Sequence, residues 1–132
     1  MATLARRSNV LTLRQALLAD SIVSGIVGGL SLVGAGWLAS VLDLSTALLA
    51  GSGTIAIAYA AVLAMLTRRM PVPSTAGSAV VGGNVAWAAT GVLLLMSGWV
   101  DPNGLGTGFI LVHIVGARIF AELQAMALRA SR

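Results

Sequence analysis

The 132-residue sequence contains no cysteine, which excludes disulfides, thiolate metal sites and cysteine nucleophiles. It contains no lysine, so all eight basic residues are arginine. His113 is the single histidine, and bis-histidine ligation of a haem or a metal would need a second chain. Charge is scarce: 9% of residues are charged, against about 25% in a soluble domain. The four carboxylates are too few and too scattered for a metal cage. No HExxH, GxSxG, Walker or strand-to-helix glycine fingerprint occurs. Neither an enzyme nor a cofactor is expected.

What fills the chain is apolar, 58% of all residues. Long uncharged or nearly uncharged runs define four spans, about 13–42, 46–66, 78–100 and 105–128, in a single domain over 1–132. Each has the roughly 20 residues a helix needs to cross about 30 Å of hydrocarbon. The prolines Pro71, Pro73 and Pro102 all fall between spans, as unbroken helices require. Thr12 and Gln15 have the spacing of a capping box at the start of the first span. That span exceeds the 7 to 15 residues of a signal-peptide core, and is read as retained. "DPNG" at 101–104 fits a type I turn.

The connections differ in charge. Asp43 and Asp101 lie on one side without a basic residue. Arg6, Arg7, Arg14, Arg68, Arg69, Arg129 and Arg132 lie on the other. The net charge of +4 therefore reflects membrane orientation rather than a nucleic-acid partner. The expected fold is an all-α membrane protein: four transmembrane helices in an up-down-up-down bundle, both termini cytoplasmic, multi-pass in the inner membrane. Trp37 and Trp99 would mark the opposite interface, and the "GW" pair at each hints at two similar hairpins.

Because lipid is as apolar as leucine, helix contact relies on small residues and buried polar groups. Small residues recur every four positions: Ser21, Gly25 and Gly29; Ser24 and Gly28; Ala79 and Gly83; Gly82, Ala86 and Thr90; Ala117, Ala121 and Ala125. Whether all these ladders are used within one chain or some face a second copy stays open at this level.

Five polar residues mark a candidate ligand site or ion-pair cluster. From a rise of about 1.5 Å per residue, Asp20 lies roughly 33 Å from the outer end. Tyr59 and Arg118 come out roughly 20 Å deep and Asn84 roughly 24 Å deep, with Glu122 one turn below Arg118. All four spans thus contribute to the arginine-flanked half. Arg118 is expected to reach Glu122, four residues on, and Asp20. Gln124 lies at a similar level but another angle. Trp87 would cover the cluster. His113, nearer the opposite end, has haem, metal or proton-relay readings beside the plainer one of a bond to a backbone carbonyl or to Thr54.

The segments "LADS", "NVAW", "GWVDPNGLG" and "AELQ" resemble those of a group of small bacterial four-helix integral membrane proteins. The resemblance spans most of the chain; it implies the membrane fold and no particular activity. Two functions follow. The first is a non-catalytic accessory or scaffold component, packing against copies of itself or a larger membrane complex. The alternative is a minimal transporter or ligand-binding protein, with Asp20, Arg118 and Glu122 forming a cytoplasm-facing site for a proton or small anion.

Overall fold

A computed structural model describes residues 11–69 and 71–131. Arg6, Arg7 and Arg132 of the expected positive side lie outside the described residues. The capping box forms: Thr12 N–H donates to Gln15 Oε1 at 3.0 Å and Gln15 N–H to Thr12 Oγ1 at 3.2 Å. It starts α1 (Leu13–Val33). The first span does not continue as one helix, because Gly34 adopts φ −93°, ψ 13° and separates α1 from α2 (Ala35–Leu42). The hydrogen-bond ladder passes through the break, from Gly34 N–H to Leu30 O and from Leu38 N–H to Gly34 O. The interruption is thus confined to the backbone dihedrals of one glycine.

α3 (Thr46–Thr67) is capped by the Ser45 hydroxyl, which accepts from Leu48 N–H at 3.0 Å. α4 (Ser74–Ser97) begins four residues before the apolar run, directly after Pro73, whose ring cannot occupy a helix interior. It stops at Gly98, held at φ 76°. The "DPNG" segment is not a turn. Asn103 takes extended backbone and its side chain accepts from Gly106 N–H at 2.8 Å, capping α5 (Gly104–Ala130). Its amide also donates to Val41 O at 2.7 Å, tying the start of α5 to the last turn of α2. Among the described residues there are five helices and no strand, and α1, α3, α4 and α5 are each long and apolar enough to cross a membrane.

The helices pair along the chain, α1 along α3 and α4 along α5. The first pairing is antiparallel with a seven-residue step. Arg14 Nε donates to Thr67 O at 2.9 Å, Ser21 Oγ to Ala60 O at 2.8 Å, and Gly28 abuts Gly53. The second pair is antiparallel as well: Gly77 lies against Leu128 and Gly91 against Ile114. Seven-residue contact periods belong to helix pairs that wind gently around each other. The four-residue ladders are therefore used only in part. Gly25 and Gly28 face α3, whereas Gly29, Gly82 and Gly83 meet no neighbouring atom. Ala79, Ala86 and Thr90 are likewise exposed, so the α4 ladder is unused within the chain.

Two apolar clusters hold the ends. Leu13, Leu17, Leu63, Val80, Ala127 and Leu128 form one, and Ala35, Leu42, Leu44, Leu49 and Ile110 the other. α5 joins the two pairs by touching both α1 and α2. Beyond Asn84, α4 buries no residue.

A side chain at the Gly28–Gly53 crossing has nowhere to go. A Cβ on Gly53 would stand 2.6 Å from Gly28 O and 2.9 Å from Leu32 N, both backbone atoms. Gly53→Ala should lower stability by about 1–3 kcal/mol, as overpacking does. Gly29→Ala should stay within about 0.5 kcal/mol. Thermal unfolding in detergent checks this, and equal effects at the two glycines would refute the crossing.

Candidate functional site

Asp20 is 1% exposed and follows Leu17 of the first apolar cluster by about one turn along the buried face of α1. Its carboxylate is the focus of the chain's buried polar groups. Ser24 Oγ, one turn on, donates to Oδ1 at 2.9 Å. Oδ2 accepts three bonds: Tyr59 Oη of α3 at 2.9 Å, Asn84 Nδ2 of α4 at 2.9 Å and Gln124 Nε2 of α5 at 2.7 Å. Asn84 Nδ2 also donates to Gln124 Oε1 at 2.9 Å, so the two amides fix each other's orientation. Reversing either amide would set oxygen against oxygen. All four long helices thus converge on one carboxylate.

The expected cluster divides. Asp20, Tyr59 and Asn84 come together, while Arg118 and Glu122 do not join them. Arg118 Nε meets Glu122 Oε1 at 3.2 Å, but the side chains are 78% and 62% exposed, on the outer surface of α5. The physical reason is helical phase. The buried stripe of α5 runs through Ile110, Ala117, Ala121, Gln124 and Leu128. Arg118 and Glu122 each follow a stripe residue by one position, which is about 100° of rotation. Gln124 takes the place expected of the charges. The ladder Ala117–Ala121 already marked the packing face, and a step of three from Ala121 leads to Gln124. Among the described residues no cation pairs with Asp20; the one salt bridge is Arg118–Glu122.

A cavity of about 320 Å³ adjoins the carboxylate, bounded by all four long helices. Asp20, Tyr59 and Asn84 form its polar end. Trp87, Phe120 and His113 stand among otherwise aliphatic walls. The indole of Trp87 is one turn above Asn84, as expected, and half-buried. His113 Nδ1 lies 2.8 Å from Phe109 O, and the Phe109 and His113 rings meet tilted by 49° with centroids 4.5 Å apart. A carbonyl only accepts, so Nδ1 carries the proton and a neutral ring leaves Nε2 as an acceptor. Thr54 turns instead to Ala50 O. Among the described residues no three His, Cys, Asp or Glu gather to hold a metal.

No family model, curated protein or solved structure matches the chain, so the site is read from its own geometry.

Replacing Asn84 with leucine removes a donor from Asp20 and strands Gln124 Oε1. The expected loss is about 1–3 kcal/mol. Arg118→Gln touches only an exposed pair and should shift stability by about 0.5 kcal/mol or less. Denaturation of both variants in the same bicelles separates the two, and a larger loss at Arg118 would place the load on the wrong residue.

Proposed function

We propose that the chain is a multi-pass inner-membrane protein that binds a small ligand in the cavity beside Asp20, as a minimal transporter or a membrane-bound binding protein. The observation that carries this is a buried carboxylate, unpaired with any described cation, on the wall of a 320 Å³ space. Ionisable groups inside a membrane are costly and are functional candidates for that reason. A purely structural acid would need its donors but no space beside it. The anion version of the reading loses its support, because Arg118 points away from the site.

The orientation in this proposal has both ends on the cytoplasmic side in an up-down-up-down bundle. Arg14, Arg68, Arg69 and Arg129 gather at one end, and Asp43 and Asp101 at the other. A second reading, the scaffold or accessory component, draws on the α5 surface. Arg118 and Glu122 are exposed there within the apolar stretch, among Leu111, Val115, Ile119 and Met126. Polar pairs at such depth normally face protein rather than lipid. A second copy would bring its own Glu122 to Arg118.

Two measurements check these readings. Gly83 lines the cavity, and a Cβ added there would meet no atom within 4 Å, which leaves room for a larger side chain to branch into the space. Gly83→Leu should therefore fill the space without loss of fold. In a thermal-shift screen of small organic cations, anions and neutral solutes, any stabilisation seen with the wild type should vanish in Gly83→Leu. Stabilisation that persists in that variant would remove the cavity as the site. For the scaffold reading, the cysteine-free chain allows single introduced cysteines. Ile119→Cys should cross-link between copies in membranes, and Arg69→Cys should be labelled only from the cytoplasmic side. A strictly monomeric Ile119→Cys product would reject assembly through α5, and labelling of Arg69→Cys from outside would invert the orientation.

A further inference from the structure

From the cavity's charge and lining, we infer that the ligand is an organic monocation with an apolar, preferably aromatic body; this rests on the ligand-binding reading above.

The charge comes first. Four hydrogen bonds stabilise the Asp20 carboxylate but cancel none of its charge, and no described cation lies against it. In a low-dielectric interior an opposite charge is strongly favoured and a like charge excluded. Oδ2 is filled by three donors, whereas Oδ1 accepts only from Ser24, and both Asp20 and Ser24 line the cavity. Asp20 is 1% exposed, so its carboxylate acts on a ligand through its field across the cavity wall rather than by a direct hydrogen bond.

The lining then separates organic from inorganic cations. Magnesium or calcium requires six or more oxygen ligands. This wall offers one carboxylate, a few neutral groups and otherwise hydrocarbon. Trp87, Tyr59 and Phe120 instead present aromatic rings, and indole is the best partner for a cation held over its face. A bare proton would need no such space. A volume of about 320 Å³ lies at the lower end of the range for small-molecule sites. His113 stands on the same wall, and with its Nδ1 turned to Phe109 O it adds an imidazole edge beside the aromatic rings.

Asp20→Asn is a mild neutralisation by construction. The Asn oxygen can retain the three donors now on Oδ2, and its NH2 can donate to the Ser24 hydroxyl. Trp87 supplies the reporter, because Trp37 and Trp99 are 69% and 88% exposed and lie away from the cavity. In a Trp37→Phe/Trp99→Phe background in zwitterionic nanodiscs, phenyltrimethylammonium is titrated against its neutral carbon isostere, tert-butylbenzene, and against benzenesulfonate. The expected result is a saturable change in Trp87 emission with the cation, weakened at least about tenfold by Asp20→Asn. Tert-butylbenzene should bind both proteins alike, and benzenesulfonate neither. If cation and isostere bind equally well, or Asp20→Asn leaves the cation unaffected, the cationic class is wrong while the cavity remains a binding site. If none of the three alters Trp87 emission and the Gly83→Leu screen is also blank, the ligand-binding reading falls with it. The cation–isostere contrast needs no change at Asp20, so it decides the matter even where Asp20→Asn does not fold.

Discussion

One carboxylate holds this bundle in register. Hydrocarbon supplies no water to satisfy a buried anion, so the protein must bring donors to it. Here they arrive from every long helix, each within 3 Å of Asp20. A hydrogen bond has a short reach and a preferred direction, which dispersion between aliphatic side chains lacks. Sliding α4 or α5 by one turn would carry Asn84 or Gln124 about 5 Å away and leave the acid short of partners. The apolar clusters at the two ends supply contact area and tolerate small shifts. The polar focus between them does not.

The cavity follows from the same division. Within the first helix pair, Gly28 and Gly53 bring the backbones together. Within the second, Gly77 and Gly91 receive Leu128 and Ile114. Between the pairs, bulky residues such as Trp87 and Phe120 stand where small ones would have closed the gap, and α4 buries nothing beyond Asn84. The pairs are thus joined at both ends and at Asp20, with open space beside the join.

Much of the architecture was legible in the sequence because it depends on local chemistry. Uninterrupted apolar length marked the four spans, and Thr12 with Gln15 marked the first cap. Where the backbone conformation of a single residue decides, the sequence was silent. Gly34 breaks a span that is apolar on both sides, and Asn103 turns an apparent tight turn into a helix cap. The site was half legible. Depth alone grouped Asp20, Tyr59 and Asn84 correctly. Arg118 and Glu122 drew attention by their charge, yet phase along α5 places them outside and Gln124 within. The clue was present in Ala117 and Ala121, whose small side chains identify the contacting face. The seven-residue step of the first pair was obscured by glycines and alanines at four-residue spacing, of which Gly29, Gly82 and Gly83 meet no neighbouring atom.

The placement of the acid on α1, ahead of three of its donors in the chain, has a bearing on biogenesis. When α1 and α3 have entered the bilayer, Asp20 has only Ser24 and Tyr59 as donors. Asn84 and Gln124 become available only once the later pair has been synthesised. The half-made protein therefore carries an under-solvated anion in oil, and its relief rewards docking of the second half over lateral escape into lipid. A nascent chain truncated after α3 would keep that deficit of donors.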